Sequence, residues 1–188
     1  MYAIRNLYLP DNFPELHLDQ LVLRQYTAAD AAALNQLRNN EQVNEHLFRK
    51  NAETLKQTAE IIRHLQQSFK EQTGINWAIA EKATQQLIGH VGFWKIDSTS
   101  QVAELGYLLH PTFWNKGIMT DVLGAVLKYG FDSVGFNRIE AFVKPSNAAS
   151  AHLLSKTGFK QEALLRDYYR VDDKFMDCLV FGKLASNR

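Results

Sequence analysis

Three segments in the middle of the chain read as strands: Ile75 to Glu81, Gln86 to Ile96 and Val102 to His110. They are joined by the polar links Lys82-Ala83-Thr84-Gln85 and Asp97-Ser98-Thr99-Ser100, both of hairpin length. The three therefore predict an antiparallel meander, which Pro111 closes. Before it, Gln20 to Gln25 alternates well enough for a first strand. Thr27 and Asp30 then resemble a capping box ahead of a helix with the apolar stripe Ala32, Ala33, Leu34 and Leu37, ended by Asn39 and Asn40. The segment from Asn40 to Lys50 has weak periodicity. A longer helix is expected from Asn51, with Leu55, Ala59, Ile62, Leu65 and Phe69 at helical spacing and Gly74 as its stop.

After the meander, Thr120 to Phe131 is the strongest helix pattern in the chain, with Val122, Leu123, Val126, Leu127 and Phe131 on one face. Arg138 to Lys144 follows as a short strand. A strand, a helix of this length and a second strand suggest a parallel crossover. A further helix starts after Pro145-Ser146-Asn147 and stops at Thr157-Gly158. Phe159 to Tyr168 and Phe175 to Leu184 read as a closing hairpin around Val171-Asp172-Asp173. The expected fold is α+β: a single mixed, mostly antiparallel central sheet flanked by helices. Residues 1–188 are expected to form one domain, with 1–19 as an irregular lead-in.

Composition narrows the function classes. The chain has 188 residues, 46% hydrophobic and 22% charged, which suits a globular domain that buries a full core. The single cysteine, Cys178, allows no internal disulfide and is expected to be a core thiol. Lysine and arginine total 21 against 20 acidic residues, so no nucleic-acid footprint follows from the total charge. No apolar run approaches the ~18 residues of a membrane span. The first residues lack the apolar region of a secretory signal, so the expected location is the cytoplasm. The six histidines show no metal-ligand spacing, and no metal is expected.

The chemistry is expected between Glu104 and Asp121. There a strand ends, Asn115-Lys116-Gly117 turns the chain, and an amphipathic helix begins. Asn and Gly accept positive φ most cheaply. Such a loop aims backbone N–H groups into one concavity, to which the helix adds its uncapped amides and positive dipole end. That suits a phosphate or pyrophosphate, although a plain strand-to-helix connection has the same composition. The Walker A order and the three spaced glycines of a dinucleotide fingerprint are both missing.

Two motifs resemble the GNAT acyl-CoA N-acyltransferase superfamily. Trp114-Asn115-Lys116-Gly117-Ile118-Met119 stands where that family has Gln/Arg-x-x-Gly-x-Gly/Ala, the pyrophosphate loop of coenzyme A. Asn147-Ala-Ala-Ser150-Ala-His-Leu153-Leu154-Ser-Lys156-Thr-Gly158-Phe159 resembles its Asn-x-x-[Ala/Ser]-x-x-Leu-[Tyr/Leu]-x-Lys-x-Gly-Phe segment. Leu21-Val22-Leu23-Arg24 and Glu104-Leu-Gly-Tyr107 further resemble the RimJ/RimL-type branch, which acetylates protein N-termini. The likeness runs from about Leu21 to Leu184.

The resemblance implies acetyl-CoA as co-substrate, contacted by Leu109, His110 through its backbone, Trp114, Asn115, Lys116, Gly117, Ile118, Met119, Thr120, Asn147 and Ser150. It implies Glu104 as a base acting through water, the alternative being an ion-pair partner for a nearby Arg or Lys. It implies Ser150 as the proton donor to the coenzyme A thiolate, the alternative being a first-turn serine satisfying its helix. Asn147 equally fits an N-cap. Tyr169, beside Tyr168, is a candidate proton donor or cleft border, or a packed aromatic. Glu45 and His46 either face the acceptor or are solvated loop residues. There are departures: Met119 replaces a small residue and would narrow the approach to the phosphates. Leu154 replaces the tyrosine that many members use as general acid, so that role does not transfer.

The acceptor is expected to be an amine, first a protein N-terminal α-amine. An α-amine, with a pKa of ~7.7–8.0, needs far less help to be neutral at pH 7 than a lysine at ~10.4. The alternatives are acetyl transfer to a small amine (amino acid, polyamine or amino sugar) and a non-catalytic acyl-CoA-binding or sensing module. Neither nucleic acid nor membrane is an expected partner, and a homodimer is left open.

Overall fold

The computed structural model describes residues 7–49 and 54–185. The first six residues of the lead-in and the expected helix start at Asn51 lie outside the described residues. Among the described residues eight strands form one sheet: β1 (Leu16–His17), β2 (Leu21–Arg24), β3 (Ile75–Glu81), β4 (Leu87–Asp97), β5 (Val102–Leu109), β6 (Arg138–Val143), β7 (Lys160–Val171) and β8 (Lys174–Leu184). The order across the sheet is β1-β2-β3-β4-β5-β6-β8-β7. Every neighbouring pair is antiparallel except β5 and β6. The parallel pair flanks α4 (Ile118–Lys128), which is the crossover expected from the sequence. The lead-in is not wholly irregular, because β1 pairs with β2.

The other helices are α1 (Ala31–Arg38), α2 (Glu41–Asn44), α3 (Leu55–Lys70) and α5 (Ala148–Lys156). Side chains alternate across a strand, and β3 shows the consequence. Trp77 and Ile79 pack in one core with Val122, Leu123 and Val126 of α4. Ala78 packs in a second core with Leu34 and Leu37 of α1 and Ile62 and Leu65 of α3. The sheet is therefore covered on both faces.

Local chemistry places the helix starts. At α3, Thr54 Oγ1 accepts from Gln57 N while Thr54 N donates to Gln57 Oε1, a reciprocal capping box. Before α1, Thr27 N donates to Asp30 Oδ2 at 2.7 Å, as the sequence spacing suggested. Asp30 also receives both guanidinium nitrogens of Arg24 at 2.8 Å. Burial alone would raise the Asp30 carboxyl, but the Arg24 fork and the Thr27 amide hold it below its ordinary value. The helix after the turn at Gly117 starts at Ile118 and runs on as a π-helical turn, Tyr129–Val134, beyond the expected end at Phe131. Gly135, at φ 90°, stops it.

Candidate active site

Only three residue pairs hold β5 to β6: Val102 with Arg138, Ala103 with Ile139, and Glu104 with Glu140. Beyond Glu104 the two strands part. β6 stays in the sheet by pairing Ala141, Phe142 and Val143 with β8. The divergence opens a cavity of about 740 Å³, walled by Leu105 to Leu109 on one side and Ala141 to Val143 on the other. Strand edges that part in this way leave backbone donors and acceptors facing the gap, where an extended polar chain can pair with them.

One end of the cavity is built from the turn into α4. Trp114 Nε1 donates to Leu109 O at 2.7 Å, which ties the turn back to β5. Asn115 takes φ 59° and Gly117 φ 78°, both left-handed. Asparagine tolerates that region, so the turn needs no glycine at 115. Gly117 is the N-cap of α4 and supplies no side chain to the first amides. Apart from the adjoining backbone, no atom of the described residues lies within 4 Å of where a Cβ at Gly117 would stand. This is open space in front of a helix N-terminus, and it fits a pyrophosphate. Lys116, Ile118 and Thr120 line the same region. Met119 lines it as well, although most of its side chain is buried in the core. His110 departs from expectation. Its N–H donates to Ile88 O at 2.8 Å within the sheet, and its ring caps the turn Pro111–Phe113. It is absent from the described cavity wall.

Opposite β5, α5 begins at the cavity. Asn147 Oδ1 accepts from Ser150 N at 3.0 Å, so Asn147 is the N-cap, which leaves its amide end for another partner. Ser150 Oγ lies 2.7 Å from Tyr107 Oη. Burial pushes the Tyr107 phenol up to about 12, with the Ser150 hydrogen bond acting in the other direction. Tyr107 was visible in the sequence only as a family-like strand residue. The missed signal is its alternation with Leu105 and Leu109, which turns a hydroxyl inward where a partner is required. Leu154, in the tyrosine position, is fully buried.

Glu104 lines the cavity where the strands separate. Its Oε2 accepts from Lys95 Nζ at 2.7 Å, so the ion-pair reading of this residue holds in the structure. The lysine is 73% exposed and the glutamate 22%. A bulge in β4 makes the contact. Trp94 faces Glu104 and Asp97 faces Val102, which places one extra residue between them, and Lys95 takes φ 46°. The bulge swings Lys95 onto the side it would otherwise face away from.

Tyr169 is not among the described wall residues. It stacks on Phe48 at 4.2 Å between centroids and meets Phe142 and Tyr168 edge-on. Burial, and after it the Glu104 charge, raise its phenol above the ordinary value. Lys144 Nζ donates to Glu45 O at 3.0 Å and lies over the Phe48 ring, so the segment after α2 is fastened across β6. Burial lowers the Lys144 ammonium. His46 lines the cavity beside the Trp114 ring, and its Nδ1 is buried with no hydrogen-bond partner. Cys178 is fully buried, and burial pushes its thiol up to about 11, which suits an inert core thiol. Among the described residues no group of three His, Cys, Asp or Glu could hold a metal ion, and no helix is long and apolar enough to cross a membrane.

An anion cradle at one end of a strand split and a carboxylate at the other suit a thioester carried on a long phosphorylated arm, which defines the class as acyl-CoA-dependent transferases. Residues 20–160 match the Acetyltransferase (GNAT) domain, and the chain belongs to that family. It is an N-acetyltransferase, and acetyl-CoA is its co-substrate. It is similar to the uncharacterized N-acetyltransferase YoaA of Bacillus subtilis, 37% identical over 83% of this chain and 88% of the relative. The fold is shared with the ribosomal-protein-S5-alanine acetyltransferase of Vibrio fischeri at TM-score 0.82 and 20% identity, over 93% of this chain and 98% of that one. It is also shared with spermidine N-acetyltransferase of Vibrio cholerae, solved with CoA and spermine, at TM-score 0.78 and 22% identity, over 89% and 96%.

Proposed function

We propose that this acetyltransferase acts on a primary amine at a protein N-terminus, as a RimJ/RimL-type enzyme, by direct attack on the thioester. The observation that carries this reading is the charge of the wall. Glu104 is the one carboxylate among the described residues lining the cavity, which also holds Lys116, Lys156 and two histidines. A single ammonium finds a partner there. The second and third ammonium groups of a polyamine find none among the described wall residues. One modest base also suits an α-amine, which needs only about 1 pKa unit of help at pH 7.

In this mechanism acetyl-CoA supplies the activated acyl group. The turn at Asn115 and Gly117 holds its pyrophosphate, and the amide end of Asn147 holds its arm. Glu104 accepts a proton from the incoming amine through water. Ser150 donates a hydrogen bond to the departing sulfur. Tyr169 borders the acceptor side through its stack on Phe48. The reading keeps residues 1–188 as one domain and its location as cytoplasmic.

The test is coenzyme A thiol release with a panel of free-amine peptides, spermidine and amino sugars, paired with the pH–rate profile of Glu104→Gln. The expected result is release with peptides and, in the variant, a lower kcat with a changed profile. Faster release with spermidine than with any peptide overturns the acceptor reading. An unchanged profile removes Glu104 as the base.

A further inference from the structure

Leu154 leaves the usual position for a tyrosine hydroxyl apolar and fully buried, yet the cavity does contain a tyrosine hydroxyl, contributed by the opposite wall. Tyr107 projects from β5 and Ser150 from the first turn of α5, and their oxygens lie 2.7 Å apart. Among the described residues neither hydroxyl makes another hydrogen bond. The direction of this bond follows from acidity. A phenol is a far stronger donor than an aliphatic alcohol, and a serine oxygen is the better acceptor. With the phenol donating, the serine proton is free to turn into the cavity.

We propose that Tyr107 is a positioning residue: its phenol donates to Ser150 Oγ and thereby aims the serine hydroxyl at the sulfur that leaves. The inference rests on the reading of Ser150 given under the proposed function. During turnover the bond between acceptor nitrogen and carbonyl carbon forms. The carbon–sulfur bond breaks and its electron pair goes to sulfur. The proton that the nitrogen sheds balances the one that the thiol finally carries, so neither hydroxyl changes its net protonation. Burial keeps the phenol protonated to about 12, well above an ordinary thiol at ~8.5, so Tyr107 is a standing donor and not an acid consumed in the step. Ser150 is held from its other side as well, because its amide donates to the Asn147 N-cap at 3.0 Å. The hydroxyl is thus fixed by two elements that belong to opposite walls.

The experiment is a double-mutant cycle in the full chain with Tyr107→Phe, Ser150→Ala and the pair, using acetyl-CoA and the amine that gives the fastest thiol release. Each single variant is expected to lose roughly tenfold in kcat, while the acetyl-CoA Kd stays within about twofold. The double variant is expected to be no slower than Ser150→Ala, because the phenol acts only through that oxygen. A normal kcat for Ser150→Ala overturns the serine reading and the inference with it. A slow Ser150→Ala beside a normal Tyr107→Phe overturns the positioning role alone. So does a double variant whose losses multiply. If Tyr107→Phe does not fold, Ser150→Thr decides in the native background. Activity kept in Thr and lost in Ala supports an aimed hydroxyl, and equal loss in both overturns it.

Discussion

Gly117 separates the requirements of the fold from those of the ligand. Its φ of 78° lies in the left-handed region, where an L-residue costs roughly 1–2 kcal/mol. Apart from the adjoining backbone, no atom of the described residues lies within 4 Å of the Cβ position, so no clash adds to that cost in Gly117→Ala. For a chain of this size the strain corresponds to a fall in Tm of about 2–8 °C. The effect on binding comes from a different source. The new methyl group occupies the space in front of the α4 amides and costs at least one charge-assisted hydrogen bond, about 1.5–3 kcal/mol. That corresponds to acetyl-CoA binding weakened by roughly 10–100-fold. Calorimetric titration with acetyl-CoA and a thermal melt on the same preparation read the two effects separately. Asn115→Gly is the control, since it keeps the left-handed conformation and should hold the Kd within about twofold. A lower Tm with a normal Kd would refute the cradle. A weakened Kd with an unchanged Tm would refute the strain argument.

Three further outcomes are expected. Asp30→Asn strips the Arg24 guanidinium, only 13% exposed, of its charged partner, and should cost about 3 kcal/mol in denaturant unfolding without changing the acetyl-CoA Kd; a loss under ~1 kcal/mol would mean that the pair contributes little. Burial, with the Arg38 charge adding to it, holds the His90 imidazole down at about 3, while the unfolded chain protonates near ~6.5. Between those values the unfolded state carries the extra proton, so stability is full above pH 6.5 and falls by about 1.4 kcal/mol per pH unit below it, ~2 kcal/mol by pH 5. His90→Gln should flatten the slope between pH 6.5 and 5, and parallel slopes for the two proteins would sink the assignment. Lys95→Ala removes an exposed partner of Glu104 worth ~0–1 kcal/mol, so Tm should hold while the acceptor KM falls, because the lysine ammonium no longer competes for the carboxylate; an unchanged KM would place Lys95 out of the acceptor's path.

The parts of this molecule that were legible in the sequence are those with a local period. The three-strand meander, α3, α4 and the β5–α4–β6 crossover follow from apolar spacing and hairpin-length links; the meander strands lie within one residue of expectation, while α3 ends at Lys70, short of the expected stop at Gly74, and α4 starts at Ile118, two residues before Thr120. The capping role of Asp30 was also readable, because the Thr27 spacing is local. What was not legible depends on contacts distant in sequence. α2 has a single turn held by the Asn40 cap and by Val43 in the second core, so it offers no repeat to detect. β1 has two residues, and its only definition is its pairing with β2. The Glu104–Lys95 pair depends on a bulge that no alternation rule predicts. Tyr107 and Ser150 are 43 positions apart and meet only because β5 and α5 form opposite walls.

Under the proposed mechanism, the alternation of β5 lets one short strand serve both halves of the reaction. Tyr107 packs on the α4 side of the sheet and Leu108 on the α1–α3 side. By the same period of two, Leu105, Tyr107 and Leu109 share one face, and Glu104, Gly106 and Leu108 share the other. A thioester lying between β5 and β6 therefore has the hydroxyl pair on one face and the carboxylate on the other. In the proposed mechanism the carboxylate meets the amine on one face, and the hydroxyl pair meets the sulfur when the tetrahedral adduct collapses. Three pairs of parallel register between β5 and β6 fix the arrangement, and they end at Glu104 itself. A one-residue insertion between Glu104 and Tyr107 would turn the phenol to the acceptor face without touching the phosphate turn. Such a chain should still bind acetyl-CoA through Gly117 yet release thiol far more slowly with any amine, and retention of both properties would show that the two faces of β5 do not divide the work.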